Sequence, residues 1–150
     1  MHQVFVSIGS NINPKGNIKL AKRFLNKLFD CKYSSLYNTN AEGFEGNNFI
    51  NCVVGFETNL LATELQKHLK NIELKMGRTE NQKGMSNRVI DLDMILYGAN
   101  VFQEGDIDIP SKDIEDYLFV LEPLAEIAGE LRHPVSKIPF SELLKKLKVD

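Results

Sequence analysis

Two aspartates, Asp91 and Asp93, stand two residues apart in the stretch NRVIDLDMILYG, residues 87–98, which otherwise reads as a buried strand. Side chains alternate between the two faces of a strand, so this spacing directs both carboxylates to one face, roughly 6.5–7 Å apart along it. The apolar residues between and beside them are predicted to face the other way: Ile90, Leu92 and Met94. The strand therefore presents a pair of acidic groups on a single face.

A carboxylate pair of this kind is suited to holding a divalent cation. Two neighbouring carboxylates repel each other, and burial raises their pKa unless a cation neutralises them. Magnesium prefers oxygen ligands and commonly uses one or two carboxylates together with waters and substrate phosphates. Two such ions beside one pair suit phosphoryl chemistry. The alternative is a solvent-facing strand edge with ordinary polar alternation, because an Asp-x-Asp pattern alone is a weak signal.

Two arginines flank the polar segment that precedes this strand. Arg88 lies three residues before Asp91, and Arg78 stands at the other end of the segment 78–87, RTENQKGMSN. The segment is polar and has no periodicity, which predicts an exposed and mobile loop. A cationic loop beside an acidic metal site predicts a lid over a polyphosphate.

Composition limits the class of protein. The 150 residues favour one domain, spanning 1–150, and the net charge of −2 argues against a general nucleic-acid binder. No apolar run approaches the ~18 residues of a membrane span, and the N-terminus lacks the basic region of a signal peptide. Cys31 and Cys52 are interpreted as buried thiols rather than a disulfide, which predicts a reducing, cytoplasmic location.

The order of the predicted elements favours an α+β fold. Four strands are predicted at 2–10, 31–39, 49–58 and 88–98, with amphipathic helices at 13–29 and 61–77. A short hairpin, one or two short helices and a terminal helix follow. This β-α-β-β-α-β order fits a sandwich in which helices pack on one antiparallel sheet. The chain contains neither GxxxxGK[ST] nor GxGxxG, which removes the usual nucleotide fingerprints.

Six short stretches, spread over nearly the whole chain, match the motifs of a known family and occur in the same order as in that family. They are SIGSN (7–11), YNT (37–39), FINCVVGFET (49–58), IELKMGR (72–78), RVIDLDMILYG (88–98) and FVLEPLAEIA (119–128). Together they resemble the 6-hydroxymethyl-7,8-dihydropterin pyrophosphokinase family of folate biosynthesis. The resemblance implies a ferredoxin-like sandwich that transfers pyrophosphate from ATP to the pterin hydroxymethyl oxygen and leaves AMP. It implies that Asp91 and Asp93 hold two magnesium ions beside Arg78 and Arg88.

The resemblance also assigns the substrate-binding residues. For the pterin they are Phe49 and Phe119 as a ring sandwich, Asn51 at the pterin edge, and Thr39 and Gly43 through mostly backbone contacts. For the nucleotide they are Glu73, Arg78, Arg88, Ser111 and Lys112. Taken alone, each phenylalanine is better explained as a core residue, and Glu73 is equally explained as a member of an ion pair on the helix surface.

Several family positions carry other residues here. Glu80 and Gly84 replace loop arginines, Ser111 replaces a histidine, and Tyr117 replaces an arginine that contacts phosphate. The cations that offer compensation are Lys83, Lys112 and Arg132. His133 is interpreted as part of a surface turn. A non-catalytic or altered-specificity pterin- or nucleotide-binding paralogue is therefore the alternative function, and the sequence leaves the oligomeric state open.

Overall fold

A computed structural model describes residues 1–39, 48–77 and 89–149. The strands are β1 (His2–Ser10), β2 (Lys32–Tyr33), β3 (Tyr37–Thr39), β4 (Phe49–Thr58), β5 (Asp91–Tyr97), β6 (Phe102–Glu104) and β7 (Ile107–Ile109). The helices are α1 (Pro14–Leu28), α2 (Ala62–Lys75), α3 (Asp113–Asp116), α4 (Leu118–Ala128) and α5 (Phe140–Val149). Among these described helices, none combines the length and the apolar character needed to cross a bilayer.

The main sheet has the predicted ferredoxin-like topology. Its strand order is β2-β4-β1-β5, with β3 also paired to β4, and every pairing is antiparallel. The helices α1 and α2 supply the two crossovers of the βαββαβ unit, while β6 and β7 form a separate hairpin. The predicted fold class is confirmed.

The second predicted strand is interrupted, and the prediction of one strand over 31–39 was wrong in this respect. Ser34 separates β2 from β3, and its hydroxyl oxygen accepts the Val53 N–H at 2.9 Å. The Ser34 N–H in turn donates to the Val53 carbonyl at 2.8 Å. A side-chain oxygen thus replaces a backbone carbonyl in the ladder, which lets the chain bend without leaving a buried N–H unsatisfied.

Helices cover the sheet on both faces, so the sheet is the middle of three layers. Alternate residues of β1 separate the two cores: Val4, Val6 and Ile8 face α1 and α2, whereas Phe5 faces α4 and α5. Each fully buried large aliphatic side chain contributes roughly 1.5–3 kcal/mol relative to exposure. Buried aliphatic side chains therefore hold both faces of the sheet against helices.

The strand β5 follows the predicted alternation until a bulge at Ile95. Ile90, Leu92 and Met94 all belong to the core beneath α1 and α2, so the aspartates point to the other face as predicted. The register with β1 skips Ile95, since Phe5 lies opposite Leu96 and Val6 opposite Met94. The extra residue turns both Ile95 and Leu96 toward α4 and α5.

Both cysteines are free thiols, as predicted, but only Cys52 is fully buried and Cys31 is half-buried, so the prediction of burial was wrong for Cys31. Burial raises the pKa of the Cys31 thiol and raises the pKa of Cys52 to about 11. Two residues mark helix boundaries: Pro14 begins α1, and Gly77 follows α2 with a φ of 92°. This left-handed conformation favours glycine.

Candidate active site

Four strands contribute to one continuous face of the sheet. Directly opposite residues of paired strands project to the same face. The opposite pairs are Thr39 with Phe49, Tyr37 with Asn51, Asn51 with Gly9, Gly9 with Asp91, and Ser7 with Asp93. Neighbouring strands lie about 4.7–4.9 Å apart, so Asn51 and Asp91 are separated by about 10 Å across Gly9. The structure thus brings the predicted metal residues and the predicted pterin residues onto one surface.

Asn51 is held in a fixed orientation at the centre of this face. Its side chain is buried, with 5% exposure, and its Nδ2 donates to the Thr39 hydroxyl at 2.9 Å. Its Oδ1 is turned toward Gly9, and a Cβ placed on Gly9 would lie 2.8 Å from that oxygen. Gly9 therefore makes room for the amide, a role the sequence analysis did not assign although this glycine belongs to the SIGSN stretch. Thr39 contributes a side-chain contact, beyond the backbone contacts predicted for it.

The two aspartates interact strongly with each other. The pKa of Asp93 is raised well above its usual value, first by removal from bulk water and then by the charge of Asp91 and a hydrogen bond with it. The Asp93 side chain nonetheless remains exposed to solvent, so the mutual repulsion is the cause that matters most for ligand binding. Paired oxygen donors that destabilise each other in this way match the preference of a hard divalent cation.

The donor set is limited to this pair. Within residues 1–39, 48–77 and 89–149, no group of three or more His, Cys, Asp or Glu side chains is arranged to hold a metal ion. A magnesium ion at Asp91 and Asp93 would therefore take its remaining ligands from water and phosphate oxygens, which is how this cation is commonly bound.

Glu73 supports the acidic strand from inside the protein. Its side chain is buried, with 3% exposure, and its Oε2 accepts the Leu92 N–H at 2.7 Å. Its Oε1 lies 3.7 Å from the Lys70 ammonium. The surface location considered for Glu73 was wrong, although an ion pair is present. The charge of Glu73 adds to the raised pKa of Asp93, whereas Lys70 lowers that pKa. The nucleotide contact predicted for Glu73 stays a prediction.

The segment after β7 approaches the carboxylate pair from the edge of the sheet. The Ser111 N–H donates to the carbonyl of Ile95 at 3.0 Å, and the Ser111 hydroxyl accepts the Asp113 N–H at 3.2 Å. The pKa of Asp113 is raised by desolvation first, then by Asp116 and by Asp91. The influence of Asp91 indicates that this segment, with the exposed Lys112, lies near the predicted metal ligands. Asp113 was not among the site residues predicted from the sequence.

Two stacked rings begin α4. Tyr117 and Phe119 have ring centroids 4.8 Å apart and an interplanar angle of 23°. Tyr117 therefore covers one side of the Phe119 ring. Since α4 packs on the core side that includes Val53 of β4, Phe119 lies on the same side of the sheet as Phe49. The sandwich of a pterin between Phe49 and Phe119 stays a prediction.

The end of β1 is tied to the segment that enters β5. The Ser10 hydroxyl donates to the Val89 carbonyl at 2.5 Å and lies 3.2 Å from that of Ile12. Three predicted site residues lie outside the described part of the chain: Gly43, Arg78 and Arg88. The compensating role considered for Lys83, and the lid considered for residues 78–87, fall outside it as well.

Arg132 does not compensate for missing site cations. Its Nη1 donates to the Lys137 carbonyl at 2.8 Å, and it lines a cavity of about 480 Å³ with Gln3 and Phe5. Gln3 and Gly9 are six residues apart on β1, which corresponds to roughly 20 Å. Arg132 is thus at the opposite end of the sheet from Asp91.

His133 is buried, so the interpretation of this residue as part of a surface turn was wrong for its side chain. It has 2% exposure, and its Nδ1 accepts the N–H groups of Val135 and Ser136 at 3.1 and 3.3 Å. Its Nε2 lies 3.3 Å from the Glu115 carboxylate of α3. His133 therefore connects the turn between α4 and α5 to α3.

Comparison with solved structures identifies the fold class of the chain. A Plasmodium falciparum HPPK-DHPS structure with pteroate superposes with a TM-score of 0.79 at 13% identity, covering 97% of this chain and 42% of that one. The chain thus spans less than half of that longer protein, and the likeness establishes the ferredoxin-like fold.

Sequence comparison gives the family. The chain belongs to the 7,8-dihydro-6-hydroxymethylpterin-pyrophosphokinase (HPPK) family, whose profile matches residues 5–129. It is 33% identical over 147 residues to the 2-amino-4-hydroxy-6-hydroxymethyldihydropteridine pyrophosphokinase of Aquifex aeolicus, covering 95% of this chain and 90% of that protein. It is 32% identical over 151 residues to the Haemophilus influenzae protein of the same name, covering 97% and 93%.

Proposed function

We propose that the chain is an ATP-dependent pyrophosphokinase that converts 6-hydroxymethyl-7,8-dihydropterin and ATP to the pterin diphosphate and AMP, a step of folate biosynthesis. The observation that carries the proposal is the row Asn51, Gly9 and Asp91 on one sheet face. The Asn51 amide, which can bind the edge of a heterocycle, lies about 10 Å from Asp91. Asp91 and Asp93 can bind a metal ion that carries a phosphate chain. Membership of the family supplies the substrates.

The pterin binds at the Asn51 end of this row. The Thr39 contact fixes the Asn51 amide, so its Oδ1 and its second N–H present an acceptor and a donor to the pterin edge. Phe49 and the ring of Phe119 that Tyr117 supports enclose the planar bicycle. Gly43 adds a backbone contact.

The triphosphate binds at the Asp91 end. Asp91 and Asp93 hold magnesium, with two ions expected, which supplies charge neutralisation and alignment of the phosphates when bound. Glu73 fixes the backbone between the two carboxylates through Leu92. The phosphate oxygens take further contacts from Arg78, Arg88, Ser111 and Lys112, and hydrogen bonds between charged groups are the stronger kind.

The reaction is a displacement at the β-phosphorus. The pterin hydroxymethyl oxygen forms a bond to that phosphorus, and the bond from the same phosphorus to the α,β-bridging oxygen breaks. AMP leaves with the bridging oxygen, and the hydroxyl proton passes to water. The side chains of the sheet contribute by holding the two substrates in line, because positioning and charge stabilisation dominate phosphoryl transfer.

Two wider features belong to the same proposal. Residues 1–150 act as one domain, because α5 packs onto α4 through Phe140 and completes the core on the site face. The location is the cytoplasm, where the free thiols of Cys31 and Cys52 are maintained.

A coupled assay for AMP tests the proposal. The chain is expected to form AMP from ATP only when hydroxymethyldihydropterin and magnesium are both present, and Asp93→Ala nearly abolishes this activity. The matched control is Asp30→Ala, since Asp30 is exposed and lines a cavity with Gln3, at the opposite end of β1 from Gly9 and Asp91. AMP formation at the metal-free background would contradict the enzyme assignment. Calorimetric pterin binding without turnover would instead identify a binding paralogue.

A further inference from the structure

Glu126 connects α4 to the bend between β2 and β3. Its two carboxylate oxygens lie 3.1 and 3.0 Å from the Ser35 N–H, which donates to them. The Ser35 hydroxyl donates to Oε2 at 3.0 Å, and the Tyr37 hydroxyl donates to Oε1 at 2.6 Å. One carboxylate thus gathers a backbone donor and two hydroxyls from a segment 91 residues away in sequence.

The two elements that Glu126 joins, β3 and α4, both carry residues of the proposed pterin site. Tyr37 lies opposite Asn51 in the β3–β4 register, and the Thr39 hydroxyl two residues later accepts a hydrogen bond from the Asn51 amide. On α4, Glu126 and Phe119 are seven residues apart, which puts them on one face of the helix, roughly 10.5 Å apart along its axis. The carboxylate therefore fixes the far end of the helix whose first turn carries Phe119.

The hydrogen bonds of Glu126 with Tyr37 and Ser35 are stable at neutral pH. The hydrogen bond from Tyr37 is the main cause that lowers the pKa of Glu126. Burial opposes this effect, and the two bonds from Ser35 lower the pKa further. Burial first, and then the bond to Glu126, raises the pKa of Tyr37 to about 12. The acceptor is thus ionised and the donor protonated across the physiological range, and such charge-assisted bonds are the stronger kind.

Attachment of α4 to the sheet does not depend on this connection. Val120, Leu121 and Leu124 bury α4 in the core, and Glu122 pairs with Lys148 of α5 at 2.8 Å. Removal of the Glu126 carboxylate is therefore expected to let the helix shift on the sheet without detaching it.

We infer that Glu126 is a positioning residue for the pterin site, which sets the gap between the Phe119 ring and the sheet face carrying Phe49 and Asn51. This inference rests on the proposed function. A planar ligand held between two rings requires one particular gap, since stacking weakens once the ring separation changes. The ATP end of the site, built on β5, does not share this dependence.

The test compares two glutamates of the same helix. Glu126→Ala is expected to raise the pterin Kd, measured by calorimetry, and the pterin KM by about tenfold, the size of a lost charge-assisted contact. The ATP KM and kcat stay within about twofold because the β5 end is untouched. Glu122→Ala removes an ion pair to α5 one turn away and leaves the pterin Kd unchanged. Glu126→Gln keeps one acceptor for Tyr37 and gives an intermediate Kd.

A second variant keeps the test valid if Glu126→Ala fails to fold. Tyr37→Phe removes a single hydroxyl and is expected to raise the pterin Kd in the same direction, by a smaller factor. An unchanged pterin Kd in Glu126→Ala, or equal losses for pterin and ATP in both Glu126→Ala and Glu122→Ala, overturns the inference while the proposed function stands. A chain without substitutions that binds no pterin overturns both.

Discussion

The Glu73 carboxylate accepts the Leu92 N–H at 2.7 Å, at the residue that separates Asp91 from Asp93. Within residues 1–39, 48–77 and 89–149, β5 is the edge strand of the sheet, so none of the described strands lies on the outer side of this N–H. A helix side chain therefore replaces the missing strand at the position where the carboxylates must be held. The same carboxylate also adds negative charge behind the proposed metal site.

Two substitutions of Glu73 separate its structural role from its charge. Glu73→Ala leaves the Leu92 N–H buried and unsatisfied, and we expect it to lower the free energy of unfolding by about 1–3 kcal/mol. Glu73→Gln retains an oxygen acceptor and loses less stability, but its lost charge weakens magnesium binding. Urea unfolding and magnesium titration measure the two effects. Equal stability losses in both variants would contradict the hydrogen-bonding role.

Gly9→Ala is expected to weaken pterin binding with little change in stability. The added Cβ would lie 2.8 Å from Asn51 Oδ1, so the amide must move away from its Thr39 partner. Calorimetry should show a pterin Kd raised by about tenfold. The control is the same change in an Asn51→Ala background, where it should have no further effect if the two residues act together. Independent, additive losses would show that Gly9 acts by another route.

Asp93→Asn is expected to stabilise the metal-free chain while abolishing turnover. The neighbouring charges of Asp91 and Glu73 disfavour an ionised Asp93, so a neutral amide removes an unfavourable interaction. Thermal unfolding in the presence of a chelator should give a higher Tm for the variant. Magnesium should raise the Tm of the chain without substitutions and not that of the variant. A lower Tm in chelator would mean that Asp93 is stabilising without metal.

Tyr117→Ala is expected to raise the pterin Kd by roughly twofold to tenfold, because an aromatic pair contributes about 0.5–1.5 kcal/mol. The loss would come from the freedom gained by the Phe119 ring, which Tyr117 now supports at a centroid distance of 4.8 Å. Tyr117→Phe preserves the ring and should bind pterin as tightly as the chain without substitutions. A loss in Tyr117→Phe would instead indicate a direct role for the hydroxyl.

The stabilising effect of Glu126 should depend on pH. Its pKa is lowered in the folded state, so the ionised form contributes stability above the unfolded pKa of about 4.3, and this contribution is lost as pH falls through the lowered folded pKa. The unfolding free energy relative to Glu126→Gln should therefore differ most at neutral pH and converge in acid. A constant difference from pH 7 to pH 3 would show that ionisation of Glu126 does not matter.

Periodic patterns in the sequence were enough to predict much of this fold. The bounds of β1 and β4 match the prediction, and the alternation around Asp91 placed both carboxylates on the correct face. These features depend on residues two apart along one strand, which a sequence displays directly. The resemblance added the assignment of Asn51 and the acidic strand to one active site, which periodicity could not supply.

Long-range polar contacts were beyond the reach of the sequence. The break at Ser34 arises because a hydroxyl accepts an N–H from a strand 19 residues later. The burial of Glu73 depends in the same way on Leu92, and the position of Glu126 on Ser35 and Tyr37. A local pattern marks each of these residues as polar and exposed, since the partner that satisfies the group belongs to another element.

The outer side of β5 has a consequence for how separate copies of the chain behave. A bare edge strand offers free N–H and C=O groups on which another polypeptide can add a strand, and this is a common start of aggregation. Here Glu73 occupies the Leu92 N–H and Ser111 occupies the Ile95 carbonyl at the bulge. The hydrogen bonds of Glu73 and Ser111 therefore also block the addition of a strand from another molecule to this edge. Their loss would reduce solubility as well as catalysis.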